Sequence, residues 1–236
     1  MDAPLLQVAG ITKWYGDQQA LADVSFDVRR GEVLGLIGPN GSGKTTLLEI
    51  IAGLLPVDAG GVLWRRTPLP QHRRREAVFY LPDGLRPWDG QHVIRVLQFF
   101  TSAFGRRAAD LDTAIQSVGL EQVLGKHVAA LSKGYARRLM LALALLTPHP
   151  LLLMDEPFDG FDIRQTRDIM ASIRRVAAHG RTFVLAIHQI ADAERVCDRF
   201  ILLVEGRVRG VGSLDDLRAR IGQATARLED VFLALT

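Results

Sequence analysis

The chain has 236 residues, 48% of them hydrophobic, with a formal net charge of +3 and a single cysteine. That length holds one large α/β domain, or a core with a smaller inserted lobe, and the apolar content suffices for a sizeable buried core. One cysteine excludes an intramolecular disulfide and a cysteine metal cluster, and basic runs without interleaved aromatics argue against nucleic acid as a partner.

The longest helical apolar stretch, residues 139–146, falls far short of the roughly 20 residues that span a bilayer, and it stops at Thr147-Pro148. The opening residues, Met1-Asp2-Ala3-Pro4, lack the basic-then-apolar order of a leader. A cytosolic protein is the expectation. The clusters Arg65-Arg66 and Arg73-Arg74-Arg75 read first as a solvated face. Contact with an anionic membrane surface or an acidic partner is the alternative.

In chain order, two β-strands precede residue 31. In the second, Val24, Phe26 and Val28 alternate with Ser25, Asp27 and Arg29, the pattern of a half-buried strand. Between the strands lies Lys13-Trp14-Tyr15-Gly16. Core packing is the default for Trp14, whereas Tyr15 either packs likewise or stacks on a purine ring. The apolar run Val33-Leu34-Gly35-Leu36-Ile37 predicts a buried strand, and Leu47-Leu48-Glu49-Ile50-Ile51-Ala52 a helix stopped by Gly53.

Between them stands Gly38-Pro39-Asn40-Gly41-Ser42-Gly43-Lys44-Thr45-Thr46, a G-x-x-x-x-G-K-[ST] phosphate-binding loop in its strand–helix context. Glycines let successive backbone N–H groups curve around an anion, and the helix N-terminus adds partial positive charge. Lys44 would reach the β- and γ-phosphates and the Thr45 hydroxyl would sit on Mg²⁺. The chain is therefore expected to bind a nucleoside triphosphate.

Further on, Val62-Leu63-Trp64 and Ala77-Val78-Phe79-Tyr80-Leu81 read as strands, the second ended by Pro82-Asp83-Gly84. Residues 91–131 turn helical: Val93, Val96, Leu97, Phe100 and Phe104 recur at spacings of three and four, as do Leu111, Ala114, Ile115 and Val118. This block looks like an inserted helical subdomain, approximately residues 88–147. Leu131-Ser132-Lys133-Gly134-Tyr135 opens a helix, with Ser132 its N-cap. Leu151-Leu152-Leu153-Met154 is the continuous apolar run of a parallel strand covered on both faces. A helix over Ile163–Ala178 and a strand over Thr182–Ile187 follow, the strand delivering His188. Residues 200–211 read as a hairpin, and helices within residues 213–235 close the chain, the first capped by Ser213-x-x-Asp216.

Asp155 and Glu156 end an apolar strand, so both emerge at the carboxyl edge, where nucleotide sites form in open α/β sheets. Taken alone, such a pair equally well caps the next turn. Downstream of a phosphate loop, Asp155 is the carboxylate that holds Mg²⁺, and Glu156 is the general base or water positioner. His188, which by itself would pass for structural, lies at the same edge within reach of a γ-phosphate.

Together these residues resemble the nucleotide-binding subunit of an ATP-binding-cassette (ABC) transporter, over essentially the whole chain. Residues 38–45 match its Walker A motif, and residues 151–156 match Walker B with its glutamate. Leu131-Ser132-Lys133-Gly134 matches the L-S-G-G-Q signature in a looser L-S-x-G form. Tyr15 falls at the family's adenine-stacking position, His188 at its switch histidine and Gly160-Phe161-Asp162 at its D-loop. The implied fold is α/β: a P-loop NTPase core with a parallel sheet, an N-terminal antiparallel β-subdomain and an inserted α-helical subdomain. The whole chain, 1–236, would be one nucleotide-binding domain.

The resemblance implies two nucleotide domains packed head to tail, each ATP held between one Walker A and the partner's signature. Ser132 and Gly134 would thus touch the γ-phosphate bound by a second nucleotide-binding subunit, with a homodimer the simplest arrangement. Separate transmembrane permease subunits would complete the transporter, this chain lying peripherally on the cytoplasmic face of the membrane. At Asp83 the family usually has Gln, or Glu in one exporter group. Asp83 is counted with Thr45 and Asp155 as a metal-site residue, its shorter side chain altering direct Mg²⁺ contact or coupling to the membrane partner. Lys133 and Tyr135 replace Gly and Gln in the signature, and Phe161 replaces the usual Leu. Leu81-Pro82-Asp83, the L-S-K-G signature, Glu156-Pro157-Phe158-Asp159-Gly160 and the ending Glu229-Asp230-Val231-Phe232-Leu233-Ala234-Leu235 resemble the ABC-2-type exporter group. The competing reading is a soluble ABC ATPase acting on the ribosome or nucleic acid. Such proteins usually carry two nucleotide domains or a coiled-coil insertion, and this sequence displays neither. A regulatory module with little turnover is suggested only by Asp83.

Overall fold

A computed structural model describes residues 3–236, so Met1 and Asp2 of the leader argument lie outside the described residues. The first sheet is antiparallel, in the order β2-β1-β4-β5, from β1 (Leu6–Tyr15), β2 (Gln18–Val28), β4 (Ala59–Trp64) and β5 (Thr67–Pro68). Val24, Phe26 and Val28 of β2 are buried while Asp23 and Ser25 face solvent, as alternation requires.

The second sheet has six strands in the order β10-β9-β3-β8-β7-β6. They are β3 (Val33–Ile37), β6 (Val78–Leu81), β7 (Leu151–Asp155), β8 (Thr182–Ile187), β9 (Arg199–Val204) and β10 (Arg207–Gly212). All neighbours pair in parallel except β9 and β10, which form the expected hairpin. Each central strand divides its side chains between two cores with a period of two. Leu152 and Met154 of β7, with Phe183, Leu185 and Ile187 of β8, join the helices on one face. Leu151, Leu153, Val184 and Ala186 pack instead toward α1 (Lys44–Ala52) and the antiparallel sheet. Burial on both faces explains why these strands read as unbroken apolar runs. Each such Leu, Ile, Val, Phe or Met side chain contributes roughly 1.5–3 kcal/mol of transfer free energy.

Between β6 and β7 come α2 (Val93–Ala103), α3 (Ala108–Val118), short 3₁₀ turns and α4 (Lys133–Leu146). Val93, Val96 and Leu97 of α2 are buried with Ala114, Ile115 and Val118 of α3, the stripes that the spacing marks out. The chain closes through α5 (Ile163–Ala178), α6 (Ile190–Val196), α7 (Leu214–Ile221) and α8 (Leu228–Leu235). Ser213 and Asp216 form a reciprocal capping box on α7. One sequence reading needs correction, and one helix goes unmarked in the sequence. Trp14 is 45% exposed and not core, at the end of β1 beside the turn into β2. Helix α6 carries no long apolar period, and its burial rests on Ala193 and Val196.

Candidate functional site

The loop at residues 38–43 joins β3 to α1 at the carboxyl edge of the parallel sheet. Its glycines answer two different steric demands. Gly43, the residue before α1, has φ +101, a backbone region that L side chains rarely adopt. At Gly38 the constraint is approach: a Cβ would lie 2.1 Å from the Leu203 carbonyl oxygen of β9. The turn between β9 and β10 supports the loop from below, with Gly206 N–H donating to the Ser42 carbonyl at 3.1 Å.

Lys44 is buried, and its ammonium donates to the carbonyls of Gly38 at 2.7 Å and Pro39 at 3.2 Å. Two of its three N–H donors are thus engaged. Burial lowers its pKa, offset by the charges of Glu156 and Asp155. The Thr45 hydroxyl donates to Asp155 Oδ2 at 2.6 Å, joining the first turn of α1 to the end of β7. Asp155 is itself buried.

Glu156 follows at φ +48, a left-handed conformation for a non-glycine residue. Its N–H donates to the Ala186 carbonyl of β8 at 3.0 Å, so the sheet holds the strained turn. The Glu156 carboxylate meets His188 just past β8: Nδ1 lies 2.5 Å from Oε2, and the His188 backbone N–H donates to the same oxygen at 3.3 Å. The imidazole remains 44% exposed and the carboxylate 19%.

Lys44, Thr45, Asp155 and Glu156 open onto a cleft of about 610 Å³, whereas His188 is not among its lining residues and reaches it through Glu156. Among its lining residues are Asn40, Gly41, Gly43, Lys44, Thr45 and Thr46 from the loop and α1. Asp83, Asp155, Glu156 and Tyr15 line the cleft as well. Tyr15 is 49% exposed, which favours a stacking face over core packing. Asp58 steadies its strand end, accepting from Trp14 N–H at 2.6 Å and Lys13 Nζ at 3.4 Å, with Lys13 Nζ 5.7 Å from the Tyr15 ring centroid. Gly38, Pro39 and Ser42 belong to the loop but are not among the lining residues.

Ser132 and Gly134 are not brought to this cleft. Ser132 is exposed at the N-terminus of α4, where its Oγ accepts from Tyr135 N–H at 3.3 Å. Gly134 is buried where a Cβ would lie 3.1 Å from Gln165 Oε1. Asp83 stands at the cleft, with Oδ1 accepting from Gly84 N–H and Arg137 Nη1, both at 2.7 Å.

Sequence reasoning missed several lining residues. Gln18, Gln19, Ala20, Glu205 and Gly206 border the cleft. Only the Glu205-Gly206 turn signal marked any of them, because the rest belong to no phosphate-binding pattern. Tyr80 on β6 buries its hydroxyl without a hydrogen-bond partner. Burial, with the Asp155 and Glu49 charges, raises its pKa and keeps the phenol protonated. Burial, then Asp155, likewise raises the pKa of Glu49.

The donor set fits a nucleoside triphosphate with Mg²⁺. Ser42 Oγ is buried without a partner inside the loop, the Lys44 ammonium is held within it, and a hydroxyl paired with a carboxylate stands beside it. These are the parts that bind phosphate oxygens and a hard cation.

A phosphate loop, a strand-end carboxylate pair and a histidine on adjacent parallel strands define a P-loop ATPase. The ABC transporter family model matches residues 21–159, more than half the sequence, and the chain belongs to that family. A Nod factor export ATP-binding protein I of Ralstonia nicotianae is 37% identical over 222 residues, covering 91% of this chain and 68% of that protein. An uncharacterized ABC transporter ATP-binding protein of Methanocaldococcus jannaschii is 29% identical over 218 residues, 91% of this chain and 79% of its own length. A solved ATP-binding subunit of an ABC transporter superposes with a TM-score of 0.87 at 32% identity, over 98% of this chain and 99% of that one. The protein is an ATP-binding, ATP-hydrolysing subunit of this family. Among the described residues, no helix is long and apolar enough to cross a membrane.

Proposed function

We propose that this chain is the ATPase of an ABC exporter, working as a head-to-tail dimer on the cytoplasmic face of a membrane beneath separate permease subunits. In this reading residues 1–236 form one nucleotide-binding domain with a helical insertion over approximately 88–147. Export is supported by the likeness to relatives named for Nod factor export. The observation that carries the catalytic assignment is the convergence of Thr45, Asp155 and Glu156 on one cleft, with His188 held against the Glu156 carboxylate.

Residues 38–46 cradle the triphosphate, with backbone N–H groups and the α1 N-terminus facing its oxygens. Lys44 turns its charge to the β- and γ-phosphates, and Tyr15 stacks on the adenine. Thr45 and Asp155 would hold Mg²⁺, with Asp83 at the border of that site; the ion, when bound, neutralises phosphate charge. Glu156 orients and polarises the attacking water, and His188 fixes the Glu156 carboxylate while offering its other ring nitrogen to the γ-phosphate. Ser132 and Gly134, lying away from their own chain's cleft, serve the γ-phosphate of a second copy.

ATP turnover by the purified chain tests this reading. Glu156→Gln is expected to bind ATP and to lose about 10²–10⁴-fold in kcat, the range for removing a general base. Turnover at the rate of the unmodified chain would remove Glu156 from the mechanism.

A further inference from the structure

Arg137 lies on α4, one turn beyond Gly134, with its side chain only 12% exposed. Its guanidinium spans two loops at the edge of the cleft. Nη1 donates to Asp83 Oδ1 at 2.7 Å, in the turn after β6, and Nη2 donates to the backbone carbonyl of Glu156 at 2.5 Å, in the turn after β7. That carbonyl also accepts from Asp159 N–H at 3.2 Å, and Asp159 is itself ion-paired to Lys133 of α4 at 2.8 Å. One planar fork therefore bolts the helix that carries Ser132 and Gly134 to the strained backbone of the residue that polarises water.

We propose that Arg137 is a positioning residue that fixes the Glu156 backbone, and that the carboxylate of Asp83 serves as its counter-ion and not as a metal ligand. The proposal rests on the ATPase reading of the cleft. Glu156 at φ +48 is held at its N–H by Ala186 and, within its own turn, at its carbonyl by Asp159 N–H; Arg137 adds a restraint on that carbonyl from outside the turn. A guanidinium is suited to the task, because its rigid fork satisfies a carboxylate and a carbonyl at once, whereas an ammonium is a point charge. Aspartate at 83 is short, and Oδ1 is already fixed by Gly84 N–H and Arg137. A displacement of the α4 N-terminus on meeting a partner's nucleotide would thus be felt at Glu156 of the same chain. The two half-sites carried by one chain are linked directly through Arg137, with the more exposed Lys133–Asp159 pair a second tie.

The test uses the full chain with Arg137→Ala, Arg137→Lys, Asp83→Ala and the double variant Asp83→Ala/Arg137→Ala. Arg137→Ala is expected to lower kcat about 10- to 100-fold, the scale of an ångström-size misplacement, with KM for ATP within about twofold. Arg137→Lys should recover only part of the loss. Asp83→Ala should fall in the same direction, and the double variant should be no worse than Arg137→Ala, since both single changes break one unit. Calorimetric titration of ATP with and without Mg²⁺ should show the same Mg²⁺ dependence in Asp83→Ala as in the unmodified chain. Losses that multiply in the double variant, or an Asp83→Ala chain whose ATP affinity no longer responds to Mg²⁺, would overturn the proposal. Urea unfolding of the same four variants and the unmodified chain without nucleotide measures Asp83–Arg137 coupling independently of turnover. Zero coupling there sinks the ion pair even if the chain is an ATPase. Coupling in a chain that fails to hydrolyse ATP would instead fault the ATPase reading.

Discussion

The two parts of the chain expected to touch phosphate differ in how far one copy completes them. At the carboxyl edge of β3, β7 and β8, the polar groups already satisfy one another: Lys44 on two carbonyls, Thr45 on Asp155, and Glu156 on His188. At the N-terminus of α4, Ser132 is exposed and bonded only within its own turn, away from the cleft. The first region is pre-organised for an anion and a cation, and the second presents a helix end toward solvent. Binding and turnover should therefore separate experimentally: changes at the sheet edge alter a single copy's site, whereas changes at Ser132 alter what two copies do together.

The largest effect should come from Glu156→Gln, described above, with ATP binding kept. Next, Lys44→Ala should weaken ATP binding roughly 10- to 100-fold, the loss of a charge-assisted contact worth about 1.5–3 kcal/mol, as measured by equilibrium dialysis. An unchanged affinity would show that the cleft does not grip phosphate through Lys44. Gly38→Ala sharpens the structural side. A Cβ 2.1 Å from the Leu203 carbonyl should cost about 1–3 kcal/mol of stability or more, read as a fall in urea midpoint. Tyr15→Ala should lose about 1–3 kcal/mol of ATP affinity if its ring stacks on the base, and Tyr15→Trp should restore it. The smallest stability effect belongs to Ser132→Ala, about 1 kcal/mol from a lost N-cap. That change should leave ATP affinity of the isolated chain intact while lowering turnover. Equal loss of binding and turnover would erase the distinction between the two regions.

The sheet-edge region was legible in the sequence for a physical reason. Residues 38–46 form a contiguous loop whose glycines and lysine are demanded by local backbone geometry. Asp155 and Glu156 terminate a strand so apolar that its end is unmistakable. Ser132 was legible as a cap because capping is local, and the structure bears that out. The contacts that escaped are those set by tertiary approach. Arg137 reaches Asp83 across a separation of 54 positions, and on its own helix it is one of two adjacent arginines with nothing to set it apart. The Gly206 contact with the phosphate loop likewise joins strands neighbouring in the sheet but distant in the chain. Trp14 was misread because its apolar ring suggests a core, while its place at the end of β1 dictates exposure.

Sedimentation velocity of the Glu156→Gln chain, with and without ATP and Mg²⁺, tests most directly whether one copy holds half of a site. A monomer without nucleotide and a dimer with it, the dimer abolished by adding Ser132→Arg, is the expected result. A chain that binds ATP stoichiometrically yet sediments as a monomer at every concentration would contradict the account.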